Sequence, residues 1–203
     1  MKENVGVVIL AAGSSSRMGR PKQALRFGGS SLLRQSALAA LGSVCTPVIV
    51  VTGANADISA RELEGLDVRQ VFNQHWKGGM ASSIKSGIND LLDACPETDG
   101  CVILLCDQPF VTSDAISRLV FASRWAGKAI IASRYAGTFG VPALFNSSLF
   151  EELTQLEGTT GAKTVIARLA AETHFIDLPD GAVDIDTPDD YQQLISRGHS
   201  DKV

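Results

Sequence analysis

VGVVILAAGSSSRMGRPK, residues 5–22, is a run of aliphatic and β-branched side chains that breaks into a loop of glycine, serine and three cations. An apolar run of that length, closed by turn residues, predicts a buried strand over Val5–Leu10. A strand ending in small residues brings main-chain N–H groups close to a ligand, and Arg17, Arg20 and Lys22 make that ligand anionic. The loop therefore predicts a phosphate site. Two familiar phosphate loops do not fit it. A P-loop has four residues between its glycines and then Lys-Ser/Thr, whereas five separate Gly13 from Gly19 and Arg20-Pro21 follows. The dinucleotide fingerprint needs Gly-x-Gly-x-x-Gly and an acid closing the second strand, but that strand closes with Val51-Thr52-Gly53.

Outward from this stretch, short apolar runs alternate with helical patterns, the signature of βαβ units around a mostly parallel sheet. Further strands are expected over Pro47–Thr52, Val68–Phe72, Cys101–Cys106 and Ala129–Ser133. Ser31–Leu41 and Ser82–Leu92 carry apolar stripes at helical spacing. Thr112 or Ser113 caps a helix over Asp114–Trp125, and Thr187-Pro188-Asp189-Asp190 opens a last one with a cap, a first-turn proline and acids at the positive dipole end. From Gly137 to Glu172 the rhythm changes. GTFGVPALF reads as an extended segment interrupted by glycine and proline, and two helical stretches follow it. In an open α/β sheet such an excursion covers the strand ends, which makes it the expected home of a second substrate. The expected fold is a single-domain, three-layer, Rossmann-like α/β fold with a mostly parallel central sheet over residues 1–197, and 198–203 as a frayed tail.

The composition narrows the class. A chain of 203 residues is a comfortable single domain, and 45% hydrophobic with 20% charged residues is ordinary for a globular protein. A net charge of −4 argues against a nucleic-acid or anionic-membrane binder, though a local basic loop can still hold one small anion. No apolar stretch approaches the roughly 18–20 residues that span a bilayer, and the N-terminus does not read as a signal peptide. Cys45, Cys95, Cys101 and Cys106 lack Cys-x-x-Cys spacing and lie in or beside apolar runs, as reduced packing residues of a cytoplasmic protein do.

Three further stretches carry chemistry. CVILLCDQPF delivers Asp107 to the end of an apolar strand, where Gln108-Pro109 cannot simply continue the ladder. An acid so placed is either a capping or ion-paired carboxylate or a Mg²⁺ ligand facing the phosphates of the first loop. Alternation in VDIDTPDD puts Asp184 and Asp186 on one side of an extended segment, where both could face one cation; Asp184 could equally be solvated, and Asp189 and Asp190 read as helix-start acids. In NQHWKGGMASSI, two glycines ahead of a helix could bring main-chain groups and the Ser83 hydroxyl against a nucleobase, or simply build a loop and helix start. His75, His174 and His199 lie far apart without cysteine companions, and no serine sits in Gly-x-Ser-x-Gly, so neither zinc nor a serine hydrolase is indicated.

Together LAAGSSSRMGRPK, LLCDQP, GGMASSIKSGI and DIDTPDDY resemble the MobA/MocA-like nucleotidyltransferases, in the family's order and over nearly the whole chain, and most resemble its molybdenum cofactor cytidylyltransferases. The resemblance implies a nucleotidyltransferase fold in which the backbone of Leu10, Ala11, Ala12 and Gly13 lies against base and phosphates. Arg17 would hold the outer phosphates, Lys22 the α-phosphate, and Asp107 and Asp186 would share Mg²⁺. Gly78, Gly79 and Ser83 fall where the pyrimidine transferases read their base. LAAG in place of LAGG, and CDQP in place of a GDMP-like sequence, favour cytosine. The implied activity transfers CMP from CTP to the terminal phosphate of molybdopterin and releases pyrophosphate; a molybdoenzyme or its maturation chaperone would receive the product. The rivals are a guanylyltransferase on molybdopterin, a nucleotidyltransferase acting on a sugar or alditol phosphate, and a nucleotide-binding cofactor chaperone that does no chemistry.

Overall fold

A computed structural model of the chain describes residues 4–200, with the side chains at 180, 182 and 197–200 left aside. In chain order the elements are β1 (Val5–Leu10), a small hairpin of β2 (Arg26–Phe27) and β3 (Ser30–Ser31), α1 (Leu32–Leu41), β4 (Val48–Thr52), α2 (Ala56–Glu62), β5 (Arg69–Phe72), α3 (Met80–Ala94), β6 (Gly100–Leu105), α4 (Ser113–Ala126), β7 (Ile130–Tyr135), β8 (Thr138–Asn146), α5 (Phe150–Thr154), α6 (Ala162–Arg168), β9 (Thr173–Asp177) and α7 (Pro188–Ser200). Seven strands form one sheet in the order β5-β4-β1-β6-β8-β7-β9. β1 pairs in parallel with β4 and β6, β4 with β5, and β7 with β9, whereas β8 runs antiparallel to both of its neighbours.

The unbroken apolar run of β1 follows from its central place. Successive strand side chains point to opposite faces, so a strand covered on both sides has no position for a polar residue. Val5, Val7 and Ile9 join a core with Leu33, Ala37 and Ala40 of α1 and Ile116 and Leu119 of α4. Val8 and Leu10 join the opposite core with Ile84, Ile88 and Leu91 of α3 and Val165 and Ile166 of α6. Each fully buried aliphatic contributes about 1.5–3 kcal/mol. The result is three layers, helices on both faces of the sheet. α3 lies especially close: a Cβ on Gly87 would collide with Val8 and sit 2.9 Å from Val51 Cγ2.

Thr112, one of the two expected caps, accepts at Oγ1 from the Ala115 N–H at 3.2 Å, and Ser31, expected as the first residue of its helix, is instead the cap, its Oγ accepting from the Arg34 N–H at 3.2 Å. Two elements carry no periodic signal. α2 buries only Ser59, so its sequence ADISARE shows no apolar stripe. β9, at the sheet edge, is mostly half-buried, and THFID lacks the aliphatic run of the central strands. The interrupted segment GTFGVPALF belongs to one nine-residue strand, β8, inside the sheet. A proline cannot donate to a ladder. The register against β7 shifts between Ala132 and Ser133, which leaves Val141 and Pro142 in a bulge, and Ser133 Oγ donates to the Pro142 carbonyl at 2.6 Å.

α7 continues through Ser200, and positions 201–203 of the expected tail lie outside the described residues. Among the described residues no helix is long and apolar enough to cross a membrane. All four cysteines are free; burial pushes the Cys45 thiol up to about 11 and those of Cys101 and Cys106 further up.

Candidate active site

The carboxyl ends of β1 and β6 open into a cavity of about 490 Å³ lined by Leu10, Ala12 to Arg17, Lys22, Gln23, Trp76, Lys77, Gly79, Met80, Ser83, Leu105, Asp107, Asp184 and Asp186. The loop after β1 is held open by contacts from its own far end. Gln23, 1% exposed, donates from Nε2 to the carbonyls of Ala11 at 2.7 Å and Gly13 at 3.1 Å. The Lys22 N–H donates to Ser15 Oγ at 3.0 Å, and Ser15 itself takes a left-handed backbone conformation, φ 58°. Met18 is buried with Leu25, Leu32, Ile185 and Leu194, which pins the middle of the loop to α7 and the acidic segment. Gln23 and Met18 gave no signal as site residues, because each acts on the loop backbone and neither is a charged or nucleophilic group.

Of the three loop cations, two reach the cleft. Lys22 Nζ donates to Asp107 Oδ2 at 2.9 Å and also to Asp186 Oδ1, and Arg17 Nη1 pairs with Asp186 Oδ2 at 3.0 Å. Arg20 turns away and stacks its guanidinium 4.8 Å from the centre of the Tyr191 ring. Burial works against the charge on Lys22, whose side chain is 12% exposed, yet Asp107 and Asp186 outweigh it and raise its pKa above the ordinary value. The lysine is a fixed cation at neutral pH.

Asp107 keeps one oxygen unused: Oδ1 is buried and has no hydrogen-bond partner. The acidic segment is stitched to it, since the Ile185 N–H donates to the Asp107 carbonyl at 3.1 Å while Ile185 is fully buried. That alternation turns Asp184 and Asp186 into the cleft without forming a strand. Crowding by the surrounding walls and then the Asp107 carboxylate push the Asp184 carboxyl up to about 6. Asp190 closes the segment as a capping box. Its Oδ2 accepts from the Thr187 N–H at 2.7 Å, the Thr187 hydroxyl at 2.8 Å and the Asp186 N–H at 3.1 Å, and these bonds hold its pKa below the usual carboxylate value.

On the other wall, Asn73 is buried at the end of β5 and donates from Nδ2 to Ser82 Oγ at 2.9 Å and Ser83 Oγ at 3.1 Å. Its Oδ1 accepts the His75 N–H at 2.9 Å, so one amide sets both the turn and the start of α3. Gly79 has φ 96°, and a Cβ there would run into the Gly158 carbonyl, which accepts the Ala81 N–H at 3.2 Å. Among the residues expected from sequence, Leu10, Ala12, Gly13, Arg17, Lys22, Gly79, Ser83, Asp107 and Asp186 line this one cavity; Ala11 and Gly78 do not. Ala11 lies buried beneath the loop, with its carbonyl on Gln23, and Gly78 sits in the turn before α3.

A second cavity of about 350 Å³ adjoins the first and shares Leu10, Met80, Leu105 and Asp184 with it; Tyr135, Ala136, Thr138, Gly140 and Val141 line it together with Gly161 to Lys163. The two cavities put a cleft lined by charged residues of both signs beside a largely apolar pocket at the strand ends.

Known proteins are similar to this chain in sequence and in fold. The chain is 31% identical to purine catabolism protein PucB of Bacillus subtilis over 199 residues, 92% of this chain and 94% of that one. It is 26% identical to the molybdenum cofactor cytidylyltransferase of Escherichia coli, covering 92% and 93% of the two chains. The structure of Rv0371c from Mycobacterium tuberculosis in complex with manganese superposes with a TM-score of 0.73 at 26% identity, covering 95% of this chain and 98% of that one. The description "MobA-like NTP transferase domain" matches residues 7–173, and with an α/β sheet whose strand ends carry this cleft the chain belongs to the MobA-like NTP transferase family.

Proposed function

We propose that the protein transfers the cytidylyl group of CTP to the terminal phosphate of molybdopterin, releasing pyrophosphate. The observation that carries the reading is the charge cluster of Lys22 between Asp107 and Asp186, with Arg17 at its rim, on the floor of a cleft large enough for a nucleotide. LAAG and CDQP support cytosine, and similarity along nearly the whole chain to a molybdenum cofactor cytidylyltransferase supports the pterin acceptor.

The residues present fit a hard divalent cation. Asp107 Oδ1 lacks a partner, and the Asp186 carboxylate meets Asp107 on Lys22. Among the described residues no group of three or more His, Cys, Asp or Glu gathers as a metal cage. Two carboxylates leave the remaining positions to phosphate oxygens and water, as Mg²⁺ prefers. Bound there, Mg²⁺ would supply charge neutralisation at the phosphates and the leaving oxygen.

The chain's own residues then address the meeting of two anions. A phosphate monoester has its second pKa at about 6, so the attacking oxygen needs no general base, and no histidine or cysteine lines the cleft. The acceptor oxygen forms its bond to the α-phosphorus as the bond to the bridging oxygen breaks, and pyrophosphate carries away the electron pair. Lys22, fixed and protonated, meets charge on the transferred group; Arg17, 70% exposed at the rim, meets the outer phosphates. The loop backbone and the Asn73-ordered start of α3 hold the nucleotide in line.

Pyrophosphate release with purified protein, Mg²⁺, each of the four nucleoside triphosphates and a molybdopterin source tests this, with a sugar phosphate as competing acceptor. Turnover is expected with CTP and molybdopterin. Preference for GTP would assign the guanylyl reaction, and turnover of the sugar phosphate alone would reject the pterin.

A further inference from the structure

The chain itself accounts for every carboxylate oxygen of Asp107 and Asp186. Asp107 Oδ2 accepts from Lys22 Nζ at 2.9 Å, and Asp107 Oδ1 is buried. Asp186 Oδ1 accepts from the same ammonium, and Asp186 Oδ2 pairs with Arg17 Nη1 at 3.0 Å. A hard divalent cation binds through such oxygens. To reach this pair it must displace a cation of the chain or open the wall around Asp107 Oδ1.

The two cations are not equally fixed. The Lys22 side chain is 12% exposed, and its main-chain N–H is tied to Ser15 Oγ at 3.0 Å. Arg17 is 70% exposed, so water and salt screen its contact with Asp186. Lys22 is therefore the principal cover of the acidic pair. Both side chains end flexible stems, and both can turn to phosphate oxygens. A triphosphate brings more negative charge than the two carboxylates and competes for them. Once they turn, Asp107 Oδ2 and both Asp186 oxygens come free, beside phosphates that complete a cation's coordination. A divalent ion arriving by itself instead meets two positive charges at contact distance.

We infer that Lys22 and Arg17 mask Asp107 and Asp186 against a divalent cation that comes without a nucleotide, and that the phosphates of a nucleotide unmask the acids by drawing both cations away. The inference rests on the nucleotidyl-transfer reading, in which the two acids hold the metal. It adds an order of loading: the nucleotide comes first or carries the cation in with it. The same pairing serves the nucleotide, because acids already matched by Lys22 and Arg17 do not repel an incoming triphosphate.

Equilibrium dialysis of the whole protein against Mn²⁺, which takes the same oxygen ligands as Mg²⁺, tests the masking without turnover. In the absence of nucleotide, Lys22→Met, which keeps the length and removes the charge, binds Mn²⁺ at least tenfold more tightly than the wild type. Adding Asp107→Asn to that variant removes the gain. Lys77→Met, which takes away a cation of the same cleft that lies over Trp76, gives no such gain and separates contact from general charge. With CTP present the wild type retains Mn²⁺, and Asp107→Asn weakens that retention. The thermal unfolding midpoint is the fold control; where Lys22→Met does not fold, Arg17→Gln at the exposed rim takes its place and also binds Mn²⁺ more tightly than the wild type. Nucleotide-free wild type that binds Mn²⁺ as tightly as Lys22→Met, an equal gain in Lys77→Met, or a gain that survives Asp107→Asn overturns the inference. Failure of the nucleotidyl-transfer reading shows separately, as no pyrophosphate from any acceptor while the dialysis results stand.

Discussion

Lys22 is the residue on which the site's electrostatics turn, since one ammonium meets two carboxylates that lie 79 positions apart in sequence, Asp107 and Asp186. Lys22→Ala should lower kcat by on the order of 10² or more, because the charge it meets grows in the transition state; a change confined to KM in steady-state kinetics would place it in ground-state binding instead. Asp107→Asn should abolish Mg²⁺-dependent turnover with a near wild-type unfolding midpoint. Near wild-type pyrophosphate release from that variant would contradict its role as a metal ligand. Sequence carried Asp107 as an acid at the end of an apolar run, Lys22 as a cation of the loop after β1, and Asp186 through the alternation of VDID. Gln23 left no such mark. It is neutral and buried, and it orders the loop through the backbone carbonyls it meets, those of Ala11 and Gly13.

The elements that position the site differ in how strongly they announce themselves. β1 and β6 are legible because burial on both faces leaves only apolar positions, α1 because its buried face is an apolar stripe, and α4 because Thr112 caps it. α2 and β9 were not legible, since one buries a single serine and the other sits at an edge. β8 was half-legible: its proline signals an interruption in any strand, and only pairing with β7 reveals a bulge that absorbs it. The acidic segment has its own anchor in the box formed by Thr187 and Asp190 at the start of α7. Thr187→Ala should cost about 1 kcal/mol of stability by urea unfolding. It should also raise the Mg²⁺ concentration needed for half-maximal activity, because Asp186 hangs from the same box through its own N–H. An unchanged Mg²⁺ requirement would detach the cap from the metal site.

At the scale of the molecule, the sheet order brings the β1 loop, the end of the Asp107 strand and the segment before α7 together at the carboxyl ends of the central strands, from three distant parts of the chain. Neither the loop nor the acids alone define a reaction. In the proposed reading Gly13 to Lys22 is an anion site, Asp107 and Asp186 make it one for a metal-bound triphosphate, and the adjoining cavity gives room for an acceptor. A ligand that binds only the folded state raises its melting temperature, so with Mg²⁺ present CTP should stabilise the protein more than GTP or ATP at equal concentration. Equal shifts for all three would remove the base preference while leaving the phosphate site in place. The direction of cleavage is the central claim, and CTP labelled at the α- or the γ-phosphorus reports it directly in the presence of Mg²⁺ and a molybdopterin source. The account predicts that α-label appears in a cytidylylated pterin product and γ-label in pyrophosphate; release of γ-label as orthophosphate, with α-label remaining in CDP, would contradict it.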